Sequence, residues 1–217
     1  MPFTRMVWIL LLVVSLVATT ISYAKGEHSA SFVVKETVYG KIRGYTQEVF
    51  PRRPVDIFLG VPYASPPVGK LRFEPPQALP HWDGIINTTE LSPACAQSDS
   101  ALEYLQAHYP DFDYQSEDCL YLNIFAPQLR KDFASLPVFV FVHGGSNDAG
   151  MGGMFDGSII ASFTDIILIT FNYRLGSIGF LSTRDDVLPG NYGLFDQLAA
   201  LRWVRDNIHF FGAIQNG

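Results

Sequence analysis

Three features of this 217-residue chain predict an α/β fold. Three apolar, β-rich runs, Leu120 to Phe125, Pro137 to Val142 and Ile166 to Phe171, are divided by polar or glycine-rich connections, and runs apolar on both faces suit a sheet covered on two sides. A helical stripe follows them, in which Leu194, Leu198, Leu201, Val204 and Ile208 recur at spacings of three and four along one side of an α-helix. Hydrophobic residues make up 48% of the chain and charged residues 17%, a balance that supports a packed core rather than a disordered chain.

The N-terminus carries Arg5, an uncharged apolar stretch from Met6 to Ala18, and the small residues of Ser22-Tyr23-Ala24. That order is the one a secretory signal has, so residues 1–24 are expected to be a signal peptide and 25–217 one domain. A membrane anchor is the competing reading, weakened because roughly 18 apolar residues are wanted for a span and Thr19 and Thr20 interrupt this one. After it, Ser31 to Val38 is β-branched and apolar, Tyr39-Gly40 turns, and Lys41 to Tyr45 alternates polar and apolar residues, which predicts a hairpin. Asp56 to Val61 is a third strand. Pro62 to Pro80 must wrap over the surface, because its prolines remove ladder donors. Glu103 to His108 reads as a short helix ending before Pro110, and Asn191 is placed as the N-cap of the last helix.

Fifteen Lys plus Arg against 21 Asp plus Glu give a formal charge of −6 with no basic cluster, so nucleic-acid binding is not expected. Cys95 and Cys119 are the only cysteines, and in an exported chain they predict one intrachain disulfide, two buried thiols being the alternative. Asn87-Thr88-Thr89 is an N-glycosylation sequon beside the turn formers Asp83-Gly84. Asp185 and Asp186 read as a solvated turn, since the alternating oxygen ligands of a calcium loop are missing. No pair of histidines has metal-ligand spacing, and neither a metal nor a cofactor is expected.

Pro137 to Val142 runs straight into His143-Gly144-Gly145-Ser146. A strand feeding such a glycine turn can present backbone N–H groups to an oxyanion, and a plain tight turn is the alternative. A nucleophile elbow of the form G-x-S-x-G is not found: Gly144-Gly145-Ser146-Asn147-Asp148 fails at its last position and Leu175-Gly176-Ser177-Ile178-Gly179 at its first. His143 is expected to brace the loop, Arg174 to brace the core through buried polar contacts, and His209 to sit in the last turn of the final helix without chemistry.

Ser116-Glu117-Asp118-Cys119-Leu120-Tyr121-Leu122-Asn123-Ile124 resembles a signature of the type-B carboxylesterase and cholinesterase family. Tyr39 to Gly44, Phe58 to Ala64, Leu71-Arg72-Phe73, Asn172-Tyr173-Arg174-Leu175-Gly176, Gly179-Phe180-Leu181 and Gly190 to Gln197 follow in the family's order. The resemblance implies the N-terminal part of an α/β-hydrolase fold, with Gly144, Gly145 and Ser146 as equivalents of the oxyanion loop. Within the family the match is similar to the neuroligins, adhesion members that keep the fold without the catalytic residues. It rests on His143-Gly144-Gly145-Ser146, Met154 to Ser162, the sequon and Gln115 to Cys119. Active relatives more often carry a third glycine where Ser146 stands.

That resemblance implies a cell-surface or secreted adhesion domain, a neurexin-type receptor as partner of the full-length protein, and a full-length homodimer whose surface this fragment lacks. The alternative it implies is a carboxylesterase. The family continues Phe211-Gly212 with Gly-Asp-Pro and then the nucleophile strand, whereas Ala213-Ile214-Gln215-Asn216-Gly217 departs from that pattern. A splice variant, a truncated gene prediction or a fragment is expected, with no catalytic residue encoded.

Overall fold

The computed structural model describes residues 31–109, 114–128 and 135–213. The expected signal peptide, and Ile214 to Gly217 of the divergent ending, lie outside the described residues.

The predicted hairpin forms from β1 (Ser31–Glu36) and β2 (Lys41–Gln47), paired antiparallel. The Thr37 hydroxyl closes its turn, donating to the Gly40 carbonyl over 2.7 Å. β3 (Val55–Pro62) continues the antiparallel order, and Gly44 of β2 lets β3 approach, since a Cβ there would run into the Ile57 carbonyl and the Phe58 ring. Pro62 to Pro80 is irregular apart from one 3-10 turn at Gly69–Leu71, as its prolines demand. β4 (Ile85–Asn87) then lies parallel on β2, an element the sequence did not announce in three residues.

β5 (Ala94–Cys95) and β6 (Gln115–Ser116) form a small parallel pair flanking α1 (Asp99–His108). α1 starts four residues before the expected Glu103, because the Ser98 hydroxyl caps it by accepting from the Ala101 N–H at 3.3 Å. β7 (Tyr121–Pro127), β8 (Val138–Val142), α2 (Ser158–Thr164), β9 (Ile167–Phe171), α3 (Gly176–Phe180) and α4 (Tyr192–Asn207) complete the order. In the main sheet the strands run β1-β2-β3-β7-β9-β8, with β4 beside β2. β9 is antiparallel to β7 and parallel to β8.

Alternation along the strands divides the core between the two faces. Phe58, Leu122, Ile124, Ile169 and Phe171 face Trp203, Ala200 and Phe211 on one side, while Ile57, Phe125 and Leu168 face Ala161 of α2 on the other. Each such side chain contributes about 2–3 kcal/mol by leaving water.

Two expectations need correction. The leucine stripe of α4 does not face the core: Leu194, Leu198 and Leu201 are 51%, 43% and 45% exposed, and the buried face is Tyr192, Asp196, Ala200, Trp203, Val204 and Asn207. Buried polar groups with partners displaced the leucines from the inward side. Asn191 stands at the N-cap position but in the left-handed region (φ 61°), and its side chain caps nothing. Among the described residues only β9 pairs along β8, and Phe139 and Val142 remain exposed.

Candidate functional site

β8 ends at Val142, and the chain enters a loop whose backbone is unusual. Gly145, Ser146 and Asn147 have φ of 120°, 57° and 61°, three successive residues in the region that favours glycine. The Gly145 carbonyl accepts from the Asp148 and Ala149 N–H groups, both at 2.9 Å, which closes the turn. A Cβ on Gly145 would strike the Ala149 carbonyl, so glycine is required there by space as well as by φ. The N–H groups of Gly144, Gly145, Ser146 and Asn147 donate to no partner among the described residues, and all four residues are exposed. Successive free N–H groups on left-handed backbone form a concavity suited to an anion.

His143 anchors the loop from below. It is 3% exposed, its ring stacks on Tyr173 at 4.4 Å between centroids, and its Nδ1 lies 3.0 Å from the Gly144 carbonyl. A carbonyl can only accept, so Nδ1 carries the proton and Nε2, buried without a partner, is a bare acceptor. Burial pulls the His143 pKa below its ordinary value, against the smaller upward pull of the Gly144 bond. The brace expected of His143 is therefore present, in its neutral form.

The segment after β9 ties the loop to the rest of the molecule, residue by residue. Asn172 Oδ1 accepts from the Gly152 N–H at 2.7 Å, while its Nδ2 donates to the Pro93 carbonyl at 2.8 Å. Tyr173 donates its hydroxyl to the His143 carbonyl at 2.8 Å, and the Gly176 N–H reaches the Asn147 carbonyl at 2.7 Å. Arg174 binds Asp196 of α4 through Nε and Nη2 at 2.8 and 2.7 Å. The core brace expected of Arg174 is thus an ion pair whose partner the sequence did not reveal.

Cys95 and Cys119 are joined as expected. The disulfide region reaches the loop through Gln97, whose amide accepts from the Gly150 N–H at 3.1 Å and donates to the Gly150 carbonyl at 3.2 Å. Gln97 and Asn172 were not recognisable as site-supporting residues from composition or spacing. Gln97 had only its position near a cysteine, and Asn172 opened the family-resembling stretch Asn172 to Gly176 with no role assigned to it. A cavity of about 350 Å³ beside the loop is lined by Gln97, Ser98, Asp148, Leu175, Ser177 and Ile178. Asn87 is not part of this site. It lies exposed on β4, with β3, β7 and β9 between β2 and β8, and its Oδ1 accepts from Arg43 Nε at 2.7 Å. Asp185 forms the expected solvated turn, accepting from the Val187 and Leu188 N–H groups. His209 falls in a 3-10 turn, Ile208–Phe211, just past α4. No group of three metal-ligating side chains occurs among the described residues.

The carboxylesterase family profile matches residues 31–216. The chain belongs to the carboxylesterase family. It is 44% identical to mouse Neuroligin-2 over 213 residues, covering 83% of this chain and 26% of that protein. It is 43% identical to rabbit (Oryctolagus cuniculus) cocaine esterase over 183 residues, covering 82% of this chain and 34% of that one. Among solved structures, juvenile hormone esterase from Manduca sexta superposes with a TM-score of 0.76 at 39% identity, over 85% of this chain and 34% of that one. A PNB esterase gives 0.73 at 40%, over 83% and 36%.

The architecture is accordingly that of the N-terminal part of an α/β-hydrolase, and the chain spans about a quarter to a third of the length of these relatives. This carboxylesterase-family chain combines a cholinesterase-like domain portion with similarity to both neuroligins and hydrolases. Among its described residues no helix is long and apolar enough to cross a membrane.

Proposed function

We propose that this chain is the N-terminal portion of a neuroligin-type adhesion domain, exported through the secretory pathway by residues 1–24 and glycosylated at Asn87. Identity alone does not separate the two branches, since the neuroligin and esterase relatives match almost equally. Ser146 carries the distinction. It occupies a left-handed position, φ 57°, in the loop where hydrolytic relatives favour glycine. Its side chain adds strain and bulk at the point where a tetrahedral oxyanion would have to approach, which weakens the esterase reading.

A neurexin-type receptor is the proposed partner of the full-length protein, and a homodimer its proposed state. Cells displaying the full-length product should retain a soluble neurexin-type ectodomain in calcium-containing medium. Absence of binding by correctly folded surface protein counts against adhesion of this kind.

The free N–H groups of Gly144, Gly145 and Ser146 support a second reading, a carboxylesterase in which this loop receives the oxyanion formed when a nucleophile supplied elsewhere attacks an ester. The 217 residues contain no G-x-S-x-G elbow, so we expect no protein-dependent hydrolysis of a p-nitrophenyl ester by this chain. Serine-reagent-sensitive turnover by the full-length product would favour the esterase over the adhesion reading.

A further inference from the structure

We propose that the N-glycan carried by Asn87 is built into the fold, its first two sugar rings lying back across β2 and β1 on the apolar outer face of the hairpin. The inference rests on the glycosylation of Asn87 proposed above, and adds where the glycan lies and what it does. Register fixes which side chains share that face. Val34 stands opposite Arg43 and Arg43 opposite Asn87, while Phe32 is paired with Tyr45 and Ile85 with Lys41. Registered partners project to one side of a sheet, so Phe32, Val34, Arg43, Ile85 and Asn87 lie together, at the β1 end of the sheet and away from β8. Phe32, Val34 and Ile85 are 66%, 45% and 49% exposed, and Asn87 is exposed among them.

Arg43 joins this apolar surface to the glycosylation site. Its Nε donates to Asn87 Oδ1 at 2.7 Å, and its guanidinium carbon stands 5.3 Å from the centre of the Phe32 ring. That contact aims the glycan. An amide is planar and a secondary one strongly prefers trans, so the sugar carbon bonded to Nδ2 lies on the same side of the Asn87 amide as Oδ1. Oδ1 faces Arg43, and the first N-acetylglucosamine therefore leaves Asn87 over β2. Neighbouring strands lie about 4.8 Å apart, which puts β1 about 10 Å from Asn87, within the span of the second ring. There the C–H face of that ring meets the Phe32 ring, with Val34 beside it, and the remaining Arg43 N–H groups face the sugar oxygens.

The arrangement explains why apolar side chains stand open on adjoining strands beside a sequon. Contiguous exposed apolar surface marks a place that something covers, and here the cover is attached at its margin. It also serves the sheet. Among the described residues β1 is paired only by β2, and a bulky hydrophilic chain laid across such an edge strand holds it down and keeps other chains from it.

The test uses the secreted chain, made in cells that keep its glycan in the high-mannose form. Asn87 stands in the only sequon of the sequence, so endoglycosidase H, which cuts between the first two rings, alters nothing else. Trimming is expected to lower the melting temperature by about 2–4 °C in the wild type and to leave Phe32→Ser unmoved, because only the wild type has a contact to lose. A glycan that acts through the unfolded chain or through solubility gives equal shifts in both. A second readout is independent of the melt: in the untrimmed wild type the N-acetyl methyl of the second ring should carry a ring-current shift in its NMR signal, and Phe32→Ser should return it to the free-sugar position. Resistance of the native chain to the enzyme, relieved by Phe32→Ser, supports the same contact. Mass spectrometry that finds Asn87 unmodified would overturn both the glycosylation and this inference. An occupied Asn87 with equal melting shifts and a free-sugar methyl signal overturns the packing alone. Protection of the β1 amides that survives trimming and rises with protein concentration would assign the face to a second copy, and would overturn it too.

Discussion

The Arg174 guanidinium grips the Asp196 carboxylate with two parallel hydrogen bonds, at 2.8 and 2.7 Å, in a place where both side chains are essentially out of solvent. The Asp196 carboxylate also accepts from the Arg174 backbone N–H at 3.1 Å, and the guanidinium lies over the Tyr192 ring. Burial still pushes the Asp196 pKa above its ordinary value, outweighing the Arg174 contacts. The pair therefore fastens α4 to the end of β9 at a high cost in desolvation, and losing one partner is far worse than losing both. Asp196→Ala should destabilise by about 3–5 kcal/mol, and Arg174→Met combined with Asp196→Leu by much less. Urea unfolding of the single and the double variant decides this, and equal losses for the two would contradict it.

Ser146 provides a test of opposite sign. A non-glycine residue at φ 57° costs about 1 kcal/mol, part of which glycine returns through its freer unfolded chain. Ser146→Gly is expected to stabilise by about 0.5–1 kcal/mol, whereas Gly145→Ala should cost about 2 kcal/mol or more because its Cβ meets the Ala149 carbonyl. Thermal melts report both.

Stability should depend on pH through His143. Its folded pKa is depressed by burial, so between that value and the unfolded value near 6.5 the unfolded chain holds more protons. The contribution is present above about pH 6.5 and is lost as pH falls toward the folded pKa. His143→Asn should flatten the melting-temperature profile between about pH 5 and 7.5, and an unchanged slope would show that other groups set it.

Reducing the disulfide opens a loop of sequence separation 24 and should cost about 3.5 kcal/mol on the loop-entropy estimate. Because Gln97 connects this region to Gly150, hydrogen exchange at Gly150 should accelerate along with exchange at β5 and β6. Acceleration confined to the two short strands would mean that Gln97 does not transmit the change.

Asn87 uses its side-chain oxygen toward Arg43. Its nitrogen, the atom that carries a glycan, is not held by that bond. Expression through the secretory pathway should yield an endoglycosidase-sensitive band that disappears in Asn87→Gln. A wild-type band insensitive to the enzyme would remove the site.

The strands were legible because each carries a period or an apolar run that suits a sheet: the alternation of Lys41 to Tyr45 and the apolar, Ile-rich run of Ile166 to Phe171 both map onto observed strands. The candidate loop was legible because glycines directly after a strand signal special backbone angles. β4 and α2 were not, since three and seven residues are too short to show a period.

Local chemistry alone determined the positions of β1 to β3 and β7 to β9, the cysteine pairing and the glycine loop, because each depends on residues close in the chain or unique in it, while the family came from the resemblance of short motifs such as Ser116 to Ile124. Tertiary packing decided which face of α4 is buried. A leucine stripe and a polar-containing stripe both fit a helix, and the choice went to the side where Asp196 meets Arg174 and Asn207 meets the Trp203 carbonyl and the Val38 N–H. Those partners lie as far as 169 residues apart, and no periodicity within a helix encodes a hydrogen bond across such a separation.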